Sequence, residues 1–111
     1  GFVSWVDMVR AGRHTDAALI RASVSQGCRL LRQGGVALVG DIAGAAGGQP
    51  SFEPWQALAE SELAGTSYLE FFAIGTRTQA SIARLEERLA TLSNFQQGHV
   101  RLGLQPHAPN T

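Results

Sequence analysis

The sequence predicts an α/β fold in which three parallel strands alternate with helices. Apolar residues recur at helical spacing in four segments, and three short apolar runs bounded by glycine or polar turns lie between them. These runs are expected to start near residues 36, 67 and 99. The repeat of about 31 residues matches the mean unit of a (β/α)8 TIM barrel. Flavodoxin-like and Rossmann folds use similar units, so the spacing gives the class and not the closure.

The first segment, residues 2–12, carries Phe2, Val3, Trp5, Val6 and Val9 at helical spacing and stops near Gly12. Thr15 or Asp16 caps a second helix over 16–33, with Ala17, Ile20, Val24, Cys28 and Leu31 on one face. Gly34 and Gly35 end it. Residues 36–42 are a continuous apolar run between glycines, the pattern of a strand buried on both faces. A glycine-rich loop from Ala43 to Pro50 leads to a helix over 52–64, which Ser51 caps and Gly65 ends. The aromatic run 67–74 is the second strand. Thr76 or Thr78 opens a helix over 78–94 with Ile82, Leu85, Leu89 and Leu92 as its apolar stripe, and 99–104 is the third strand. Alternating strands and helices imply parallel strands joined by right-handed crossovers.

The chain has 111 residues, 44% of them hydrophobic, which suffices for the core of one domain. Nine basic and nine acidic residues cancel, and without a basic stripe nucleic-acid binding has no electrostatic basis. Charge or glycine interrupts every apolar run well before a span of about 20 residues, so no membrane segment is expected. One cysteine makes no internal disulfide. With no export signal at the start, the expected location is cytoplasmic. The chain opens on apolar helical residues and stops just after a proline-rich turn. Three strands alone would also leave two sheet edges unpaired. Both features lead to the expectation of an internal piece of a larger barrel.

Ligands of parallel α/β proteins bind beyond the C-terminal ends of the strands. There, His107 sits between Pro106 and Pro109, which restrict the backbone on both sides. It could ligate a metal, donate to a substrate or move a proton, or be a solvated loop histidine. Glu70 is a carboxylate in an aromatic strand, costly unless paired or facing a polar cavity. It is read either as a pocket contact or as an ion-pair partner of Arg101 on the next strand. Asp41, one strand earlier, either contacts ligand or turns the loop that follows. Strand alternation puts Tyr68, Glu70 and Phe72 on one face, and Arg101, Gly103 and Gln105 together on theirs. Gly40, Gly44, Gly47 and Gly48 fit a flexible loop, since no dinucleotide or Gly-Lys-Ser/Thr pattern is present. Cys28 is expected in the core, His14 and His99 away from the active end, and Arg84, Glu86, Glu87 and Arg88 on a solvated helix face. No His-x-His, His-Glu-x-x-His or cysteine pair supplies a metal-binding set.

The run from Val100 to Thr111, with Pro106-His107-Ala108-Pro109 at its centre, resembles the fourth-strand segment of the amidohydrolase superfamily. It is most similar to the deaminase and chlorohydrolase branch, where Gly-Leu-Ser-Pro-His-Ala-Pro-Tyr-Thr is typical. Gly34 to Asp41 resembles that family's second strand, Tyr68 to Phe72 its third, and Phe2 to Val6 with Arg10 the segment after the first-strand metal motif. The resemblance implies a mononuclear hydrolase on a (β/α)8 barrel, in which zinc or iron activates water to expel ammonia or another leaving group. The family's ligands are a His-x-His after the first strand, histidines after the fifth and sixth and an aspartate after the eighth, and a glutamate after the fifth strand moves protons. All of these positions fall outside this chain. The family histidine matching His107 contacts substrate, and that role alone carries over.

Gln105 and Asn110 depart from the pattern beside the pocket, so substrate choice does not transfer. A purine-like or aminofutalosine-like nucleoside fits, as does an s-triazine or another N-heterocycle. The resemblance thus implies a small-molecule substrate bound by His107, a metal held outside the chain, and an inactive chain in isolation; Glu70 and Asp41 are further substrate-binding candidates from their places at strand ends. A homo-oligomer of the full-length enzyme is a further expectation. The competing reading is a small self-contained α/β binding module without catalysis.

Overall fold

The computed structural model describes residues 1–12, 16–46, 49–73 and 75–107. Among these residues four α-helices form: α1 (Phe2–Ala11), α2 (Ala17–Gln33), α3 (Glu53–Ala59) and α4 (Thr78–Ala90). The strands are β1 (Leu38–Asp41), β2 (Ala45–Ala46), β3 (Gln49–Pro50), β4 (Ala64–Phe71), β5 (Gln96–Gln97) and β6 (Val100–Pro106). The main sheet runs in the order β1-β4-β6-β5. Its first three strands are parallel and sequential, linked by α3 and α4, and β5 adds an antiparallel edge. The predicted α/β class with parallel strands is therefore present.

One face of the sheet holds the core. Cys28, Trp55, Leu58, Leu63 and Val100 form its centre, with Val24, Val39, Phe52, Leu92 and Leu102 packed around them. The strand residues in this cluster lie on one side of the pleat, where Ser67 and Leu69 of β4 are also buried. Trp55 donates its indole N–H to the Val100 carbonyl at 3.1 Å, which ties α3 to the start of β6. Arg21 on α2 reaches Glu53 and Gln56 of α3 and Glu60 just past its end, and clamps the two helices together. On the opposite face, Thr66, Tyr68 and Glu70 alternate with the buried set and join no helix core. Gly103 lies opposite Tyr68, and a Cβ there would come within 2.7 Å of the tyrosine ring.

The element boundaries differ from expectation in instructive ways. Asp16, one of the two candidates, caps α2, accepting from the Leu19 amide at 3.1 Å, and Thr15 lies outside the described residues. The helix expected over 52–64 stops at Ala59. Ser61 turns the chain there, donating to the Leu58 carbonyl at 2.6 Å and accepting from the Leu63 amide at 3.1 Å. That turn drops Leu63 into the core. The second strand accordingly covers 64–71 and not 67–74. Gly65, read as a helix stop, pairs with Val39 inside the sheet at φ +144°, and a Cβ on it would lie 1.9 Å from the Val39 oxygen. Close approach of two strands is what this glycine permits.

The helix expected over 78–94 ends at Ala90, with Leu85 buried and Ile82 left 39% exposed. The third strand runs on to Pro106, because Glu70 and Phe71 extend the ladder beside Gln105 and Pro106. Two short pieces had no sequence signal: the β2–β3 hairpin within the glycine-rich loop, and β5, which turns into β6 through Gly98 at φ +56°. Gly44 anchors the first of these. Its amide donates to the Tyr68 carbonyl at 3.2 Å, and a Cβ on it would meet the Leu69 Cα at 2.7 Å.

On α1 the apolar side chains Phe2, Val3, Trp5 and Met8 are largely exposed. No described helix is long and apolar enough to cross a membrane.

A Gly65→Ala substitution places a methyl group on the Val39 carbonyl and demands a backbone conformation that L-residues avoid. It is expected to cost at least about 3 kcal/mol. Urea unfolding should show a midpoint well below that of the parent, whereas Gly1→Ala, with open space around it, should leave the midpoint unchanged.

Candidate functional site

Parallel pairing of β4 with β6 brings two of the sequence candidates together at the C-terminal end of the sheet. The register sets Glu70 opposite Gln105 and Phe71 opposite Pro106. Proline cannot donate to the ladder, and the next residue does so in its place: the His107 amide donates to the Phe71 carbonyl at 2.9 Å. The imidazole then lies beside Glu70, with Nδ1 2.6 Å from Oε1. Both side chains are partly buried, 29% exposed for His107 and 21% for Glu70. Phe72 packs its ring on the imidazole, centroids 4.5 Å apart and planes at 35°.

The carboxylate that sequence placed in an apolar strand thus has a partner, and the partner is His107. Arg101 does not serve, contrary to one reading of Glu70. It stands opposite Thr66, four residues upstream of Glu70, or about 13 Å along the strand. Phe72 had been placed on the same face as Glu70 but given no role. Its position two residues on, where alternation returns to the same side, was the available signal.

A cavity of ≈ 380 Å³ opens beside Glu70 at the ends of β1 and β4. Among the described residues, Ile20, Val24, Ile42, Ala43 and Pro54 give it apolar walls, and Glu70 contributes a charged group.

Asp41 lies elsewhere. It pairs in register with Ser67, whose hydroxyl donates to Oδ2 at 3.1 Å. Ser67 is 1% exposed and faces the helix-covered core side, away from the Glu70 face. Burial pushes the Asp41 carboxyl above its ordinary range, and the Ser67 hydrogen bond partly opposes that shift.

Cys28 is buried in the core as expected. His99 occupies the turn before β6, where its carbonyl accepts from the Gly65 amide at 3.1 Å. Arg84, Glu86, Glu87 and Arg88 are exposed, with the Arg88 guanidinium 5.1 Å from the Phe52 ring centroid. His14, Gly47, Gly48, Ala108 and Pro109 lie outside the described residues, and so do Asn110 and Thr111.

Among the described residues no three of the histidine, cysteine, aspartate and glutamate side chains come together as a metal-binding group. With Nδ1 engaged by Glu70, the pair offers one imidazole nitrogen, Nε2, to a ligand. What the pair can do chemically is present an oriented imidazole edge to a ligand at the mouth of the sheet. Compared with protein-family models, curated proteins and solved structures, the chain matches none.

The raised Asp41 carboxyl gives a signed pH dependence. The folded state holds this proton more tightly than the unfolded state, so the group's contribution to stability falls as pH rises from the unfolded to the folded titration range. Asp41→Asn keeps an acceptor for Ser67 and removes the charge. Thermal midpoints measured from acid to neutral pH should show the variant more stable than the parent at neutral pH, with the difference vanishing in acid. A variant less stable at neutral pH would contradict the account.

Proposed function

We propose that this chain supplies part of the substrate-facing wall of a metal-dependent hydrolase of the amidohydrolase type, acting on an N-heterocyclic or nucleoside-like substrate. One observation carries the reading: the Glu70–His107 pair, fixed at the C-terminal ends of adjacent parallel strands. This is the end at which α/β folds of this kind place their chemistry. The resemblance of the Pro106–Pro109 region assigns the matching histidine to substrate, and the oriented imidazole is suited to that task.

Two further features support a barrel. The parallel strands are sequential neighbours, as barrel strands are. Helices pack on one face, while the other face carries Thr66, Tyr68, Glu70, Arg101 and Gln105, and that is how a barrel separates its helical coat from its interior. In this reading the zinc or iron, held by residues outside the chain, would supply an activated water. The residues present here bind and orient. His107 contacts the substrate, and Glu70 and Phe72 hold the imidazole in place.

The test is an assay of the full-length protein, loaded with zinc or iron, for release of ammonia or halide from nucleosides and substituted N-heterocycles. Turnover is expected, and His107→Ala should lower kcat/KM by about 10²–10³, the range for losing one oriented polar contact in an active site. Ligand binding with no turnover of any such substrate would instead favour a binding module.

A further inference from the structure

We infer that Glu70 fixes the proton of His107 on Nδ1 and so makes Nε2 a hydrogen-bond acceptor that reads an N–H or O–H group of the ligand. The inference deepens, and rests on, the reading of His107 as a substrate contact. It begins with the direction of one hydrogen bond. An ionised carboxylate accepts and cannot donate, so the 2.6 Å contact between Nδ1 and Oε1 is donated by the imidazole. A neutral imidazole carries a single ring proton, and Nε2 is left with its lone pair.

The surroundings leave that nitrogen as the edge for a ligand. The His107 backbone is held by its 2.9 Å bond to the Phe71 carbonyl. One face of the ring lies against Phe72. Nδ1 is taken by Glu70, and no described residue hydrogen-bonds to Nε2. A carboxylate or phosphate oxygen brought to Nε2 would set lone pair against lone pair. An amino, imino or hydroxyl group would complete the bond. The preferred ligand therefore presents a donor at this point, as an aminated heterocycle or a sugar hydroxyl does. Glu70 is a positioning residue, since it acts on the ligand through His107.

Long-range proton–nitrogen correlation spectra of the chain, labelled at histidine and recorded with the rings neutral, read the tautomer directly. His107 signals are identified by their loss in His107→Gln. The wild type is expected to show a pyrrole-like Nδ1 and a pyridine-like Nε2, and Glu70→Ala should shift the population towards the Nε2–H form. The Trp55 indole signal, held by the Val100 carbonyl, reports in parallel whether each sample is folded. An Nε2–H tautomer in the wild type overturns the inference whatever the variants do.

Two probes of matched ring size then test the ligand preference. Aminopyrimidine should perturb the Nε2 resonance at a concentration about tenfold lower than pyrimidine carboxylate, a difference of about 1.4 kcal/mol. Equal response, preference for the carboxylate or no response to either overturns the donor reading. Absence of hydrolysis in the full-length protein changes none of these spectra, so failure of the enzymatic reading and failure of this one remain distinguishable.

Discussion

Seven residue pairs hold β4 against β6, from Gly65 beside Val100 to Phe71 beside Pro106. A parallel ladder in this register determines which side chains meet at its end. Because side chains alternate strictly along a strand, a slip of one residue would send Glu70 to the other face and turn Leu69 out of the core. Burial of Ser67, Leu69 and Val100, each at most 1% exposed, opposes that slip. Trp55 adds to the constraint by bonding to the Val100 carbonyl. The apolar side of the sheet thus specifies the geometry of the polar side, and the Glu70–His107 pair inherits its position from core residues on the opposite face.

Asp41 and Glu70 show how far such placement decides a residue's chemistry. Both are carboxylates near the C-terminal end of a parallel strand. Asp41 falls on the helix-covered face, finds a buried serine hydroxyl, and is held above its ordinary titration range by burial. Glu70 falls on the other face, finds an imidazole, and borders a cavity. The first arrangement is suited to joining β1 to β4 within the core. The second is suited to orienting another group. Gly44 contributes to the separation by pinning the loop after β1 against the Tyr68 carbonyl, which keeps Ile42 and Ala43 at the cavity wall.

The alternation of helices with strands, their parallel pairing and the candidate residues at strand ends were legible in the sequence, because each rests on local periodicity. What local pattern cannot carry is register. Glu70 and His107 are 37 residues apart, and their meeting follows only once Phe71 is set beside Pro106. The same limit explains the ion pair expected with Arg101, which the register places opposite Thr66. Gly65 misled for another reason. A glycine after an apolar helical run usually ends a helix, but here it lets β1 approach β4. The two-residue strands β2, β3 and β5 are too short to alternate. On α1 the apolar spacing was read correctly as helical, yet Phe2, Val3 and Trp5 remain exposed, because periodicity reports a face and not what covers it.

The central claim is that the β4–β6 register seats His107 on Phe71 and so beside Glu70. It is tested most directly by the scalar coupling transmitted through a hydrogen bond, from the amide nitrogen of His107 to a carbonyl carbon. The account predicts a coupling to the Phe71 carbonyl, in keeping with the 2.9 Å contact. A coupling to any other carbonyl of β4, or an amide of His107 that exchanges with solvent as freely as an unstructured one, would contradict it.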